Sequence, residues 1–201
     1  MKKWSSVFTP DIDKRQLFDR LKFSMTKSEV LRLAKSFYDI GVNPDELLQF
    51  TNHADHSVRF HSVWVLENML LPYPEALDYY LPSIIKYIPD TNTDSVKRHL
   101  AKLAAYGIGR VVKKKASKVF ERELWATNLE PLEEACFKWF VDEKTKPAVK
   151  AHCLEILYLL STRQRWIAQE LPQIIENQMD FGPPSLKAKG RSILKMLKQL
   201  K

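Results

Sequence analysis

Between Ile108 and Asn128 the chain carries Arg110, Lys113, Lys114, Lys115, Lys118 and Arg122, interleaved with Val111, Val112, Val119, Phe120 and Trp125. Cations at this density neutralise phosphates, so the chemistry they point to is contact with a nucleic-acid backbone, weakened by added salt. The same pattern also fits an extra surface helix with a solvated charged face. Two further basic stripes have helical spacing. Lys187, Arg191, Lys195 and Lys198 repeat every three or four residues, and Arg98 and Lys102 do the same. They either merge into a basic groove or complement helix C-terminal dipoles and bridge to nearby carboxylates.

His61, His99 and His152 occupy equivalent places in similar phrases, which raises the question of a shared metal. Packed helical segments lie roughly 10 Å apart and metal ligands sit near 2 Å, so one ion cannot use all three and a packing role is expected. Cys136 and Cys153 both fall on apolar stretches and read as buried free thiols. There is no Gly-rich phosphate loop, no nucleophile elbow and no histidine pair at metal spacing, so neither a metal nor a cofactor is expected.

The net charge of +8 is unevenly spread over the 201 residues. Residues 1–50 carry +2, 51–90 carry −3, 91–122 carry +7, 123–146 carry −3 and 147–201 carry +5. Such local excess permits a polyanionic partner. Met1 to Phe23 holds no apolar run that would serve as a signal-peptide core, and no stretch reaches the roughly 20 apolar residues of a membrane span. A cytoplasmic monomer without membrane contact is expected.

The elements that must position these residues are helices. Glycine is scarce, at 5, strand-type alternation is missing, and Leu, Lys, Glu and Ala fill the periodic segments. Four phrases recur: Ser57-Val58-Arg59-Phe60-His61, Ser95-Val96-Lys97-Arg98-His99, Ala148-Val149-Lys150-Ala151-His152 and Ser185-Leu186-Lys187-Ala188-Lys189. Each opens an amphipathic run and follows a turn, at Thr51 to Asp55, Pro89 to Asp94, Asp142 to Pro147 and Asp180 to Pro184. Leu81-Pro82-Ser83-Ile84-Ile85 and Leu171-Pro172-Gln173-Ile174-Ile175 are nearly one phrase, each a helix bent by an internal proline.

This grammar resembles the HEAT repeat, in which a proline-bent outer helix, an Asp-marked turn and an inner helix opening with Val and a basic residue alternate. Asp90, Asp142 and Asp180 match the turn aspartate, and Arg59, Lys97, Lys150 and Lys187 the basic position; the first unit departs, with Asn52 near the expected aspartate. The resemblance implies an all-α fold, an α-α superhelix of about four helix pairs at about 44–70, 73–108, 128–161 and 164–200. Residues 1–43 form an N-terminal cap that includes a helix over 26–40, opened by a Thr26/Glu29 capping box and stopped at Gly41. The whole chain reads as one HEAT-like domain with a basic insertion at about 108–128.

The resemblance implies a non-catalytic binding scaffold whose concave, partly basic face receives a protein or a nucleic acid, neither being favoured. The binding residues then include Arg98, Lys102, Arg110, Lys113, Lys114, Lys115, Lys118, Lys187, Arg191 and Lys195. Some HEAT-like proteins are DNA glycosylases that remove alkylated bases with a carboxylate and aromatic residues. That chemistry needs a desolvated Asp or Glu beside an aromatic wall, for which Trp64 with Glu67 is the best pair; Trp139 with Glu143 and Trp166 with Glu170 sit on outer helices.

Overall fold

The computed structural model describes residues 14–179 and 182–199. These residues are helical with no strand among them. The helices are α1 (Lys14–Lys22), α2 (Lys27–Ile40), α3 (Pro44–Phe50), α4 (His56–Leu70), α5 (Pro74–Tyr87), α6 (Asp94–Val112), α7 (Lys118–Ala126), α8 (Glu130–Val141), α9 (Pro147–Ser161), α10 (Arg165–Met179) and α11 (Pro184–Leu197). None is long and apolar enough to cross a membrane. The chain divides into two compact units, Met1–Leu103 and Ala104–Lys201, with α6 running through the division.

In the first unit α4 packs against α1, α2, α3 and α5. Its sequence explains this position: Val58, Val63, Val65, Leu66, Met69 and Leu70 are buried on several sides, so the helix needs partners almost all round. The helix ends are set locally. Thr26 and Glu29 form the expected capping box, and Gly41 ends α2 at φ 78°, a left-handed conformation that favours glycine. Asp55 caps α4 by accepting from the Ser57 and Val58 amides. The turn carboxylate therefore sits three residues beyond Asn52, next to the helix start where N-cap geometry needs it.

In the second unit α9 packs against α8, α10 and α11. Asp142 stabilises the turn before α9 by accepting from the Lys144 amide and the Thr145 hydroxyl, both at 3.1 Å. Asp180, the corresponding turn residue before α11, lies outside the described residues. Pro82 and Pro172 do lie inside α5 and α10. Gly190 lets α11 approach α10 closely, since a side chain there would meet Ile175 and Met179 at 3.1 Å.

Cys136 on α8 and Cys153 on α9 are free and buried. Burial pushes the Cys136 thiol well above the ordinary range, and the neighbouring Cys153 adds to this. Neither thiol is expected to react with Ellman's reagent in the folded protein, and both are expected to do so in denaturant. Rapid reaction of either in native buffer would contradict this packing.

Candidate functional site

Three groups of side chains stand out, one in the first unit and two in the second. In the first, Glu67 on α4 is buried at 7% exposure. Its carboxylate accepts from His99 Nδ1 at 2.6 Å and Lys102 Nζ at 2.7 Å. Because a guanidinium can only donate, the Arg98 contact at 2.9 Å makes His99 Nε2 an acceptor and directs the Nδ1 hydrogen to Glu67. Burial pushes the Glu67 carboxyl up, but the hydrogen bonds from His99 and Lys102, with the Lys102 charge, outweigh it and hold the group below its ordinary value.

Trp64, its expected catalytic companion, is half-buried and stacks on Phe60 with centroids 5.2 Å apart. Both oxygens of Glu67 are thus engaged by protein donors, and the cluster is built as a brace between α4 and α6. His61 is likewise committed, its Nδ1 hydrogen directed at the Leu21 carbonyl at 2.7 Å. Arg59 donates to the His53 and Ala54 carbonyls and holds the turn before α4. Among the described residues no three His, Cys, Asp or Glu gather closely enough for a metal ion.

In the second unit the basic segment becomes the C-terminus of α6, a turn, and α7. Lys114 is the one non-glycine described residue with positive φ, at 56°. The Lys115 amide bonds the Arg110 carbonyl at 2.8 Å and the Lys114 amide bonds the Val111 carbonyl at 3.0 Å, so the helix closes in a Schellman motif with lysine where glycine is the usual choice. The half-buried Arg110 guanidinium donates to the Lys115 carbonyl and steadies the turn. Lys113, Lys114 and Lys115 project from it exposed. Ser117 caps α7, whose Lys118 pairs with Glu121 at 2.7 Å.

Lys114→Gly is expected to stabilise the fold by about 1 kcal/mol, since glycine enters this backbone region without steric cost. Denaturant unfolding measures this. On α11, Arg191, Lys195 and Lys198 are exposed, opposite the buried Leu186, Ile193 and Leu197, whereas Lys187 is half-buried. Lys189 pairs with Glu155 at 2.9 Å.

A cleft of about 590 Å³ opens where the end of α7, the start of α8 and the start of α10 meet. Trp125, Glu133, Arg163, Gln164 and Trp166 form it. The Arg163 guanidinium lies 4.8 Å from the Trp125 ring centroid, and Trp166, 48% exposed, leans on Phe137. The Trp166 indole donates to Gln164 Oε1 at 2.8 Å, which fixes the amide so that its nitrogen donates to Glu133. Glu133 is buried at 5% exposure. Burial raises its carboxyl above the ordinary range, Gln164 opposes this, and Glu130 adds to it.

This carboxylate and aromatic arrangement is assembled from three segments and was not among the expected pairs. Trp125 and Trp166 were visible as tryptophans; Glu133, whose partner lies 31 residues away, carried no local signal. Arg110 lies in the last turn of α6, Lys113, Lys114 and Lys115 form the turn and Lys118 opens α7, whereas Arg98 and Lys102 belong to the Glu67 brace in the other unit. Compared with known proteins, the chain matches no family model and no curated sequence.

Proposed function

We propose that this chain is a non-catalytic, HEAT-like helical binding protein, acting as a cytoplasmic monomer, whose second unit holds the phosphate backbone of a nucleic acid. The observation that carries this reading is the partition of charge. Residues 1–103 contain 14 Lys and Arg against 13 Asp and Glu, whereas residues 104–201 contain 18 against 11, so +7 of the net +8 belongs to the second unit. A protein partner would be favoured by an exposed apolar groove; a charge excess concentrated on one unit favours a polyanion.

Within that unit, Lys113, Lys114 and Lys115 are presented by a turn that keeps lysine at a left-handed position. Non-glycine residues held in such conformations cluster at functional sites, where the side chain is retained at a cost in stability. Titration of a fluorescently labelled oligonucleotide by anisotropy tests the proposal. Binding that weakens steeply with salt, and that is reduced more than tenfold when Lys113, Lys114 and Lys115 are changed together to Glu, supports it. Absence of binding, or binding indifferent to salt, overturns it.

A further inference from the structure

The Glu133 cleft has a composition that narrows what it accepts. Its carboxyl is buried, receives one hydrogen bond, from the uncharged Gln164 amide, and has no cation within ion-pair distance among the described residues. Its second oxygen is not sealed off but opens on the cleft, where a ligand's N–H can take the place of water. A simple cation is disfavoured because the Arg163 guanidinium already occupies the Trp125 face. A simple anion is disfavoured by Glu133 itself and by Glu130 at the rim. A flat, uncharged ring carrying both donors and acceptors satisfies all of these groups, and Trp166 offers a half-exposed indole on which to stack it.

We propose that the cleft receives one unstacked, amino-bearing nucleobase of a single strand, its ring on Trp166 and its exocyclic N–H donating to Glu133. This rests on the backbone-binding reading given above. The same helix joins both features: α7 runs from Lys118, next to the basic turn, to Trp125 at the cleft, about 10 Å along its axis at 1.5 Å per residue. A short stretch of strand lying on the basic turn therefore arrives with a base at the cleft. Adenine, cytosine and guanine present the required amino group. Uracil and thymine carry a carbonyl oxygen in place of that amino group, and their one N–H on this edge, at N3, is flanked by two carbonyl oxygens that repel a carboxylate.

Oligo-dC and oligo-dU differ on the Watson–Crick edge by an exocyclic amino group against an oxygen and by N3 as acceptor against N3–H as donor, and their binding to the full chain is the test. The wild type is expected to bind oligo-dC about fivefold more tightly than oligo-dU. Trp166→Ala is expected to weaken both about tenfold while leaving the salt dependence unchanged, because stacking releases no counterions. Glu133→Gln is expected to remove the preference for dC, since an amide offers both a donor and an acceptor. The indole N–H resonances of Trp125 and Trp166 should shift on titration with oligo-dC.

Salt-dependent binding that is blind to base and unaltered in both variants overturns the cleft inference and leaves the backbone reading standing. Absence of oligonucleotide binding overturns both. Trp166 is on the surface, so Trp166→Ala serves as the test even if Glu133→Gln does not fold.

Discussion

Replacing Glu67 by Ala is expected to destabilise the protein by about 3 kcal/mol, because it strips the acceptor from the buried His99 ring and from the half-exposed Lys102 ammonium. His99 Nδ1 and Lys102 Nζ lose their shared carboxylate, and the Arg98 to His99 contact loses the anchor that orients the ring. Lys102→Met is expected to cost less than about 1 kcal/mol, since the half-exposed ammonium has its charge screened by solvent. The Glu67 effect also has a pH signature. Its folded-state carboxyl is held below the ordinary value, so the stabilisation is fully present above that ordinary value and is lost as the pH falls through the lowered one. Urea unfolding at neutral and strongly acidic pH should show the gap between wild type and Glu67→Ala shrinking in acid. A gap that does not change with pH would contradict the assignment of Glu67 as an ionised brace.

Reversing Lys113, Lys114 and Lys115 to Glu is the second large effect, and counterion release sets its size. Each phosphate contact on a single strand contributes about −0.7 to the slope of log affinity against log salt. Loss of three contacts therefore flattens the slope by about 2, and the added carboxylates repel the strand further. Affinity near 50 mM salt is expected to fall by well over tenfold, while at high salt the variant and wild type converge. Lys114→Gly separates the two consequences of that residue: stability rises, and the salt slope is reduced by about 0.7. The first follows from the backbone at φ 56°, and the second from the lost charge.

Much of the fold was legible because its signals are local. The Thr26 and Glu29 capping box, the stop at Gly41, the prolines at the starts of α3, α5, α8, α9 and α11 and the prolines inside α5 and α10 each act within a turn or two of chain. Where local signals conflict, tertiary packing decided the outcome. The second inner helix was expected to end near Ile108, but α6 continues to Val112, because Ile108 and Val111 keep the buried period going past Gly107 and Gly109. Residues 108–128 hold the end of α6, a turn and α7.

The site was less legible for a reason of geometry. Sequence spacing makes neighbours of a carboxylate and a tryptophan only three or four residues apart on one helix. Trp64 and Glu67 have that spacing, yet Trp64 packs on Phe60 and Glu67 turns to His99 and Lys102 on another helix. Glu133, Gln164, Trp125 and Trp166 come from three segments, and only their packing brings them to one cleft. A buried glutamate in the first turn of α8 looks, in sequence, like any acidic residue placed at a helix N-terminus.

The affinity of the wild-type protein for a labelled single-stranded oligonucleotide between 50 and 200 mM salt tests the central claim most directly. With the three turn lysines each neutralising a phosphate, affinity should fall at least about 15-fold across that range. An affinity that stays constant across it, or no binding at its low end, would contradict the assignment of the second unit as a nucleic-acid-binding surface.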